Sequence, residues 1–483
     1  MRPLFSLLSL RLGLVWYLLH CVSLAGLGRS LYLTASSPLL ADQLLRHHAP
    51  FVADLAICIA VSWEMPLFAA PPAVLRLCAL IVAAAASTAA APSAAAAAPR
   101  PPPTPPSRGA VASGVYRNMF AEAGYAQADI DAKVAAAWAQ LYFTGDAATQ
   151  RIAFEVEGNM TYVSDMKNHD VRTEGMSYGM MNAVQMDDAV TFDRIWRWVL
   201  RFMYHADASD PLQGWSAWHC NVDGSRIDQG PALDGETFFV TALYFAGARW
   251  GDAGAYNYTL WADTILGLVS AKPDPQQMFE PSSMIVRFDP GTTFTDPSYM
   301  AVAFYPTWAL SSSVTPTTWN TTAARTRDLL VKATVQSTGL APNMCGFDGS
   351  KAGWVTTFED DAWRVARNWA LDYAWWAADA RQIAMSNTIL SFFAKCGPPG
   401  QCTCDYFDTQ SGACLRPMYS SGLTAMTAVA ALASNSSLAW EFVDALWAMD
   451  IPSGDEHDTD RYYSGSLYLE ALLHLSGRYR AWL

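Results

Sequence analysis

The sequence predicts an all-α fold, and three observations carry that expectation. About a dozen segments after residue 110 place apolar residues at the three- and four-residue spacing of a buried helix face. Period-two alternation is scarce, and 284–288 is the stretch that reads as a short strand. Gly, Pro, Asp and Asn cluster between the segments, as turns require. The segments share no fixed repeat, which weighs against a solenoid and leaves a closed ring of helical hairpins as the other arrangement for so many helices.

Composition narrows the function classes. The chain has 483 residues, 52% of them hydrophobic and 16% charged, with 19 Trp and a net charge of −13. Disorder goes with low hydrophobicity and high charge, so a mostly disordered chain is excluded. The acidic balance argues against a nucleic-acid binder, which needs a basic face for phosphates. Charge is unevenly spread: residues 1–109 carry a net of +4, residues 110–483 a net of −17 and 17 of the 19 Trp. The second part carries the chemistry.

Along the chain, residues 12–26 form an apolar run behind Arg2 and Arg11, suited to a signal-peptide core or a short membrane segment. A second leader begins at Met65, with Arg76 closing a basic stretch, an apolar core over 77–86 and Ala-x-Ala patterns beyond. This second segment reads as the secretory signal, with translation starting at Met65 and 1–64 an extension without a fold. Residues 1–92 are thus a hydrophobic leader, and contact with a membrane is expected only if an apolar segment of it is retained. Residues 93–109 are Ala- then Pro-rich, the composition of an extended spacer. The folded unit, a single catalytic domain, is expected over 110–483.

That unit holds six cysteines, Cys220, Cys345, Cys396, Cys402, Cys404 and Cys414. The spacing of the last four lacks the paired C-x2-C knuckles that zinc sites favour, so disulfides are expected and no metal. Four N-x-S/T triplets, at Asn159, Asn257, Asn320 and Asn435, together with a leader point to a secreted, extracellular protein. The expected helices are 131–143, 174–186, 189–205, 234–250, 256–269, 301–310, 318–336, 361–380, 381–393, 421–433, 438–449 and 461–475. In the first, Val134, Ala135, Trp138 and Leu141 make the apolar face; in the third, Val190, Ile195, Trp198, Val199 and Phe202 do.

Three of these helices begin with acids among aromatic residues. Glu174 lies in VRTEGMSYGM, where apolar surroundings would raise a carboxyl pKa and suit a general acid. The competing reading is a first-turn Glu that complements the helix dipole. Asp234, in PALDGETFF, reads equally as a helix cap or as an acceptor for a sugar hydroxyl. The run FEDDAWRVARNW puts Glu359, Asp360 and Asp361 ahead of a helix rich in Arg and Trp, whose rings would stack on sugars. A fourth segment, FTDPSY, sets Tyr299 just after a Pro turn, to orient a water or to lie at the edge of the core.

Taken in order, HDVRTEGMSYGMM, PALDGETFFVTALYFA, FTDPSY and DAWRVARNWALDY resemble glycoside hydrolase family 8, over roughly residues 112–478. GWSAWHCNVDGSRIDQGPALDGE and GLAPNMCGFDGS resemble in particular its reducing-end xylose-releasing exo-oligoxylanases. The resemblance implies an (α/α)6 barrel of about twelve helices and an inverting hydrolysis with neither metal nor organic cofactor. It implies Glu174 as general acid, Asp361 as general base, Asp234 as binder of the sugar before the cleaved bond, and Tyr299 as holder of the attacking water. Arg172, Tyr178, Trp218, Trp363, Arg364 and Tyr419 are the expected substrate-binding residues. The expected substrate is a β-1,4-xylo-oligosaccharide cut to release xylose from its reducing end, by a monomer. Two departures stand out. Asp360 occupies the place where the family usually shows Tyr before the base. Tyr419 stands where exo-acting relatives carry a His that closes the site beyond the leaving sugar, which leaves endo action on xylan, β-glucan or chitosan open, as well as a wall-associated binding protein without activity.

Overall fold

Residues 100–454 and 461–483 are described here, in a computed structural model. The expected leader over 1–92, with its two apolar segments, lies outside the described residues. Twelve helices of seven residues or more occur among the described residues: α1 Gln127–Ala139, α2 Thr173–Met186, α3 Ala189–Trp198, α4 Leu233–Trp250, α5 Tyr258–Ser270, α6 Tyr305–Ser311, α7 Pro316–Ala333, α8 Val365–Trp376, α9 Arg381–Cys396, α10 Ser421–Val429, α11 Leu438–Ala448 and α12 Arg461–Leu475. Two single-turn helices precede them, Ala110–Ser113 and Met119–Glu122.

The even-numbered helices are the inner ones. Every residue from Leu233 to Ala246 of α4 is buried, as is every residue from Val365 to Trp375 of α8. A helix apolar all round can only sit inside. The odd-numbered helices bury one face: in α3 that face is Thr191, Phe192, Ile195, Trp196 and Trp198. Sequence places the turns between them. Asp187 takes a left-handed conformation at the end of α2, and the Asp188 side chain then caps α3 by accepting from the Thr191 N–H at 2.9 Å. Within the inner ring α2 packs on α4 and α12, α4 on α6, and α10 on α8 and α12. The fold is the (α/α)6 barrel.

Four small antiparallel sheets decorate the connections: β1 Ala153–Val156 with β2 Met160–Val163; β3 Asp170–Arg172, β4 His219–Asn221 and β5 Arg226–Asp228; β6 Phe294–Thr295 with β7 Cys345–Gly346; and β8 Tyr406–Phe407 with β9 Cys414–Arg416. β3 runs straight into α2, so the strand fixes the entry of the helix that carries Glu174.

Four expectations are corrected. The 284–288 stretch is not a strand: it contributes a single bridge, Val286 to Phe279, because Met284 adopts a left-handed φ of 61°. The helix expected over 361–380 is a 3-10 turn over Asp360–Arg364 followed by α8, and it ends at Ala377 in a left-handed conformation. Of the six cysteines, four pair, Cys396 with Cys402 and Cys404 with Cys414; Cys220 and Cys345 are buried thiols. The Pro-rich stretch is not a free spacer from residue 100 onward. Arg100 pairs with Asp444 and lies 5.4 Å over the Trp440 ring, whose Nε1 donates to the Pro101 carbonyl at 2.7 Å.

Candidate active site

The polar residues gather where the inner helices begin. Glu174 and Asp234 are the second residues of α2 and α4. Tyr299 closes the 3-10 turn Pro297–Tyr299 ahead of α6, Asp361 and Arg364 lie in the turn that leads into α8, and Tyr462 is the second residue of α12. Helix N-termini carry partial positive charge, so this end of the barrel favours carboxylates.

One buried guanidinium joins the acids. Arg364 Nη1 donates to Glu174 Oε2 at 2.8 Å, Asp234 Oδ2 at 3.0 Å and the Tyr178 hydroxyl at 2.5 Å. Its Nη2 donates to Asp361 Oδ1 at 2.5 Å and to Ser298 Oγ at 3.0 Å. A planar fork with five N–H donors can serve these five acceptors at once, whereas a lysine ammonium has only three donors. The Asp361 side chain is 33% exposed, against 16% for Glu174 and 6% for Asp234. The residue expected to activate water is therefore the most open of the three.

One cation does not neutralise three acids gathered this closely. Burial pushes the Glu174 carboxyl up to about 8, aided by the nearby Asp361 and Asp234 and opposed by Arg364 and Arg172. Asp234 is raised too, by burial first and by Asp361 second, against Arg364. Asp296 rises well above the carboxylate range through burial and the charge of Asp361; its Oδ1 accepts from the Ser298 N–H at 2.6 Å, and its buried Oδ2 has no partner among the described residues. The Tyr462 hydroxyl donates to Glu174 Oε1 at 2.9 Å. Burial raises the Tyr299 phenol as well, and its ring lies nearly parallel to Phe288, with centroids 5.5 Å apart.

Two glycines let the helices close on Glu174. A Cβ on Gly175 would stand 2.5 Å from the Tyr462 ring, and one on Gly235 would stand 2.6 Å from Thr173 Cβ. Any larger residue there forces α2 away from α12 or α4.

The structure brings Glu174, Asp234, Asp361, Arg364 and Tyr178 into one hydrogen-bonded group, with the Tyr299 ring 5.9 Å from the Arg364 guanidinium carbon. Tyr178 is fully buried and supports Arg364 from behind. Arg172 pairs with Asp165 at 3.0 Å and Asp170 at 3.2 Å. Half-buried Trp218 stacks on His219, whose Nε2 meets Asp170 Oδ2 at 2.7 Å. Trp363 departs from its expected part: it is buried, its Nε1 donates to the Asp405 carbonyl at 3.1 Å, and it has no free face for a sugar. Trp369 and Trp375 are core residues for the same reason. Tyr419, between β9 and α10, is 38% exposed and outside the Arg364 network.

Sequence reasoning missed Tyr462, Ser298 and Asp296. Asp296 and Ser298 stood in the quoted FTDPSY segment, and Tyr462 opens a helix just as the motif acids do. It also missed an aromatic shelf: exposed Trp354 meets Phe288 and Phe294 with centroids 5.3 and 5.2 Å apart, and Phe288 in turn covers Tyr299.

Residues 154–473 match the model of the glycosyl hydrolases family 8. A reducing-end xylose-releasing exo-oligoxylanase of Paenibacillus barcinonensis, Rex8A, is 37% identical over 390 residues, 78% of this chain and 99% of that protein. Its solved structure with xylose superposes with a TM-score of 0.73 at 36% identity, over 78% of this chain and 100% of that one. A family 8 xylanase of Teredinibacter turnerae, solved as a catalytic mutant with xylohexaose, gives a TM-score of 0.73 at 39% identity over 77% of this chain and 100% of its own. The helical barrel, the acids at one end of it and these likenesses agree: the chain belongs to glycosyl hydrolases family 8.

Proposed function

We propose that this protein hydrolyses β-1,4-xylo-oligosaccharides with inversion and releases xylose from the reducing end. The observation that carries the reading is the pair of unlike carboxyls on one arginine. Glu174 keeps its proton up to about 8, and Asp361, more open, shares the Arg364 fork with it. Rex8A, similar over almost its whole length, supplies the substrate class and the reducing-end preference.

Glu174 gives its proton to the glycosidic oxygen as that bond breaks, so the leaving xylose departs neutral. Water attacks the anomeric carbon from the opposite face, and Asp361 takes a proton from it while Tyr299 helps to hold it. Room for that water sets inverting carboxyl pairs about 6.5–9.5 Å apart. Asp234 accepts from hydroxyls of the sugar before the cleaved bond. Arg364 holds all three acids in place. Of the other expected binders, Arg172 ends the strand that leads into the Glu174 helix, the Trp218 carbonyl accepts from the Thr173 N–H at the start of that helix, and Tyr178 acts through Arg364. Glu174→Gln removes the proton and keeps the shape: kcat falls by about 10²–10⁴-fold with the thermal midpoint unchanged. Turnover near wild type in that variant rules out Glu174 as the acid.

A second reading, endo cleavage of xylan, is favoured by Tyr419. Tyr419, which is exposed, takes the place in the sequence of the His expected to close the site, and the Teredinibacter turnerae relative is a xylanase. The protein acts outside the cell on this account. The two disulfides and the exposure of Asn159, Asn257, Asn320 and Asn435 support that placing, and N-terminal sequencing of secreted material tests it.

A further inference from the structure

We propose that the disulfide-closed hairpin over 404–416 is the positioning element of the general base, acting through Tyr406 and Asp360. The inference rests on Asp361 being that base. Asp361 needs outside support, because its side chain is the most exposed of the three acids and lies in a short 3-10 turn rather than in a helix. The residue before it, Asp360, has a φ of 34°, a left-handed conformation that costs a non-glycine residue free energy and persists only where the surroundings enforce it.

The hairpin enforces it from three points around Asp361. Before the turn, Phe358 and Phe407 exchange both backbone hydrogen bonds at 2.9 Å. At the turn, the Tyr406 phenol donates to the Asp360 carboxylate, while the Tyr463 phenol holds the Asp360 carbonyl at 3.1 Å. After it, Trp363 Nε1 donates to the Asp405 carbonyl at 3.1 Å. Residues 405, 406 and 407 thus hold 363, 360 and 358, with the base between.

The hairpin is itself braced. Arg416 lies over the Tyr406 ring at 3.4 Å and pairs with Asp405. Cys404–Cys414 closes it, and Cys396–Cys402 ties its entry to the end of α9. The ladder of β8 and β9 registers only two residue pairs, too few to stand alone in water. Covalent closure removes the freedom that so short a ladder cannot. A base displaced by a fraction of an ångström loses rate while substrate affinity, made elsewhere in the cleft, stays.

The test compares the full chain with Tyr406→Phe, Asp360→Ala, their double variant, Cys404→Ser/Cys414→Ser and Asp361→Asn, on xylotetraose, with thermal midpoints recorded. Tyr406→Phe keeps the ring over Arg416 and loses only the donor, so it is expected to fold normally. It should lower kcat about tenfold, a small displacement of a reacting group, with KM within about twofold. The Cys double variant should show the same split. Tyr406→Phe/Asp360→Ala should be no slower than the slower single, because both changes cut one contact. Wild-type kcat in Tyr406→Phe, or a loss confined to KM, overturns the proposal. Turnover retained in Asp361→Asn instead removes the base assignment itself, a result distinct from silence at Tyr406.

Discussion

Glu174 is held protonated by position, not by residue type. Its oxygens are occupied by Arg364 and Tyr462, yet burial outweighs the cation and sets its carboxyl at about 8. A general acid works only while protonated, so kcat/KM should fall as pH rises through about 8; a profile still flat at pH 10 would contradict that role. Arg364 is the residue on which the acids depend. Arg364→Lys leaves fewer donors than there are acceptors, so it should cost at least about a hundredfold in kcat and, with a buried charge unpaired, about 3 kcal/mol of stability; activity assays and denaturant titration check the two parts. Much of this was legible: VRTEGMSYG and DAWR pointed to Glu174, Asp361 and Arg364. That Arg364 reaches Glu174 across 190 positions was not, because sequence separation says nothing about which helix ends meet. Trp363 was misplaced for a related reason. A Trp beside acids looks like a sugar platform until its 3-10 turn is seen to pack on the 404–416 hairpin, where Trp363 is buried and its Nε1 donates to the Asp405 carbonyl.

At the scale of elements, periodicity found the helices and blurred their ends. The segment 461–475 agrees with α12 to the residue, while the expected 361–380 hid most of a 3-10 turn and a left-handed Ala377. Apolar spacing measures which face is buried and is blind to backbone sign. Gly235 lets α2 and α4 approach closely, since a Cβ there would stand 2.6 Å from Thr173 Cβ, and apolar spacing does not reveal that contact. Gly235→Ala should therefore destabilise the protein by about 1–3 kcal/mol, since the clash is with a Cβ and the start of the neighbouring helix, which cannot swing aside. An unchanged denaturation midpoint would show that the two helices slide freely.

At the scale of the molecule, the twelve longer helices of the described residues alternate between inner and outer positions, and the inner N-termini share one end. Chemistry and dipoles coincide there, while short strands and the disulfide hairpin shape the approach. A ring of hairpins was one of two arrangements that helix count left open; the order of the motifs, through the family they resemble, decided it. Tyr419 is where the account can still move between an exo and an endo enzyme, because closing the site beyond the leaving sugar is a property of loops rather than of the barrel. The most direct measurement is proton NMR of xylotetraose carrying a label at its reducing end, followed from the first turnovers. The account predicts labelled xylose and xylotriose, with the α-anomer forming first at the new reducing end. Labelled xylobiose or xylotriose as a main product, or the β-anomer first, would contradict it.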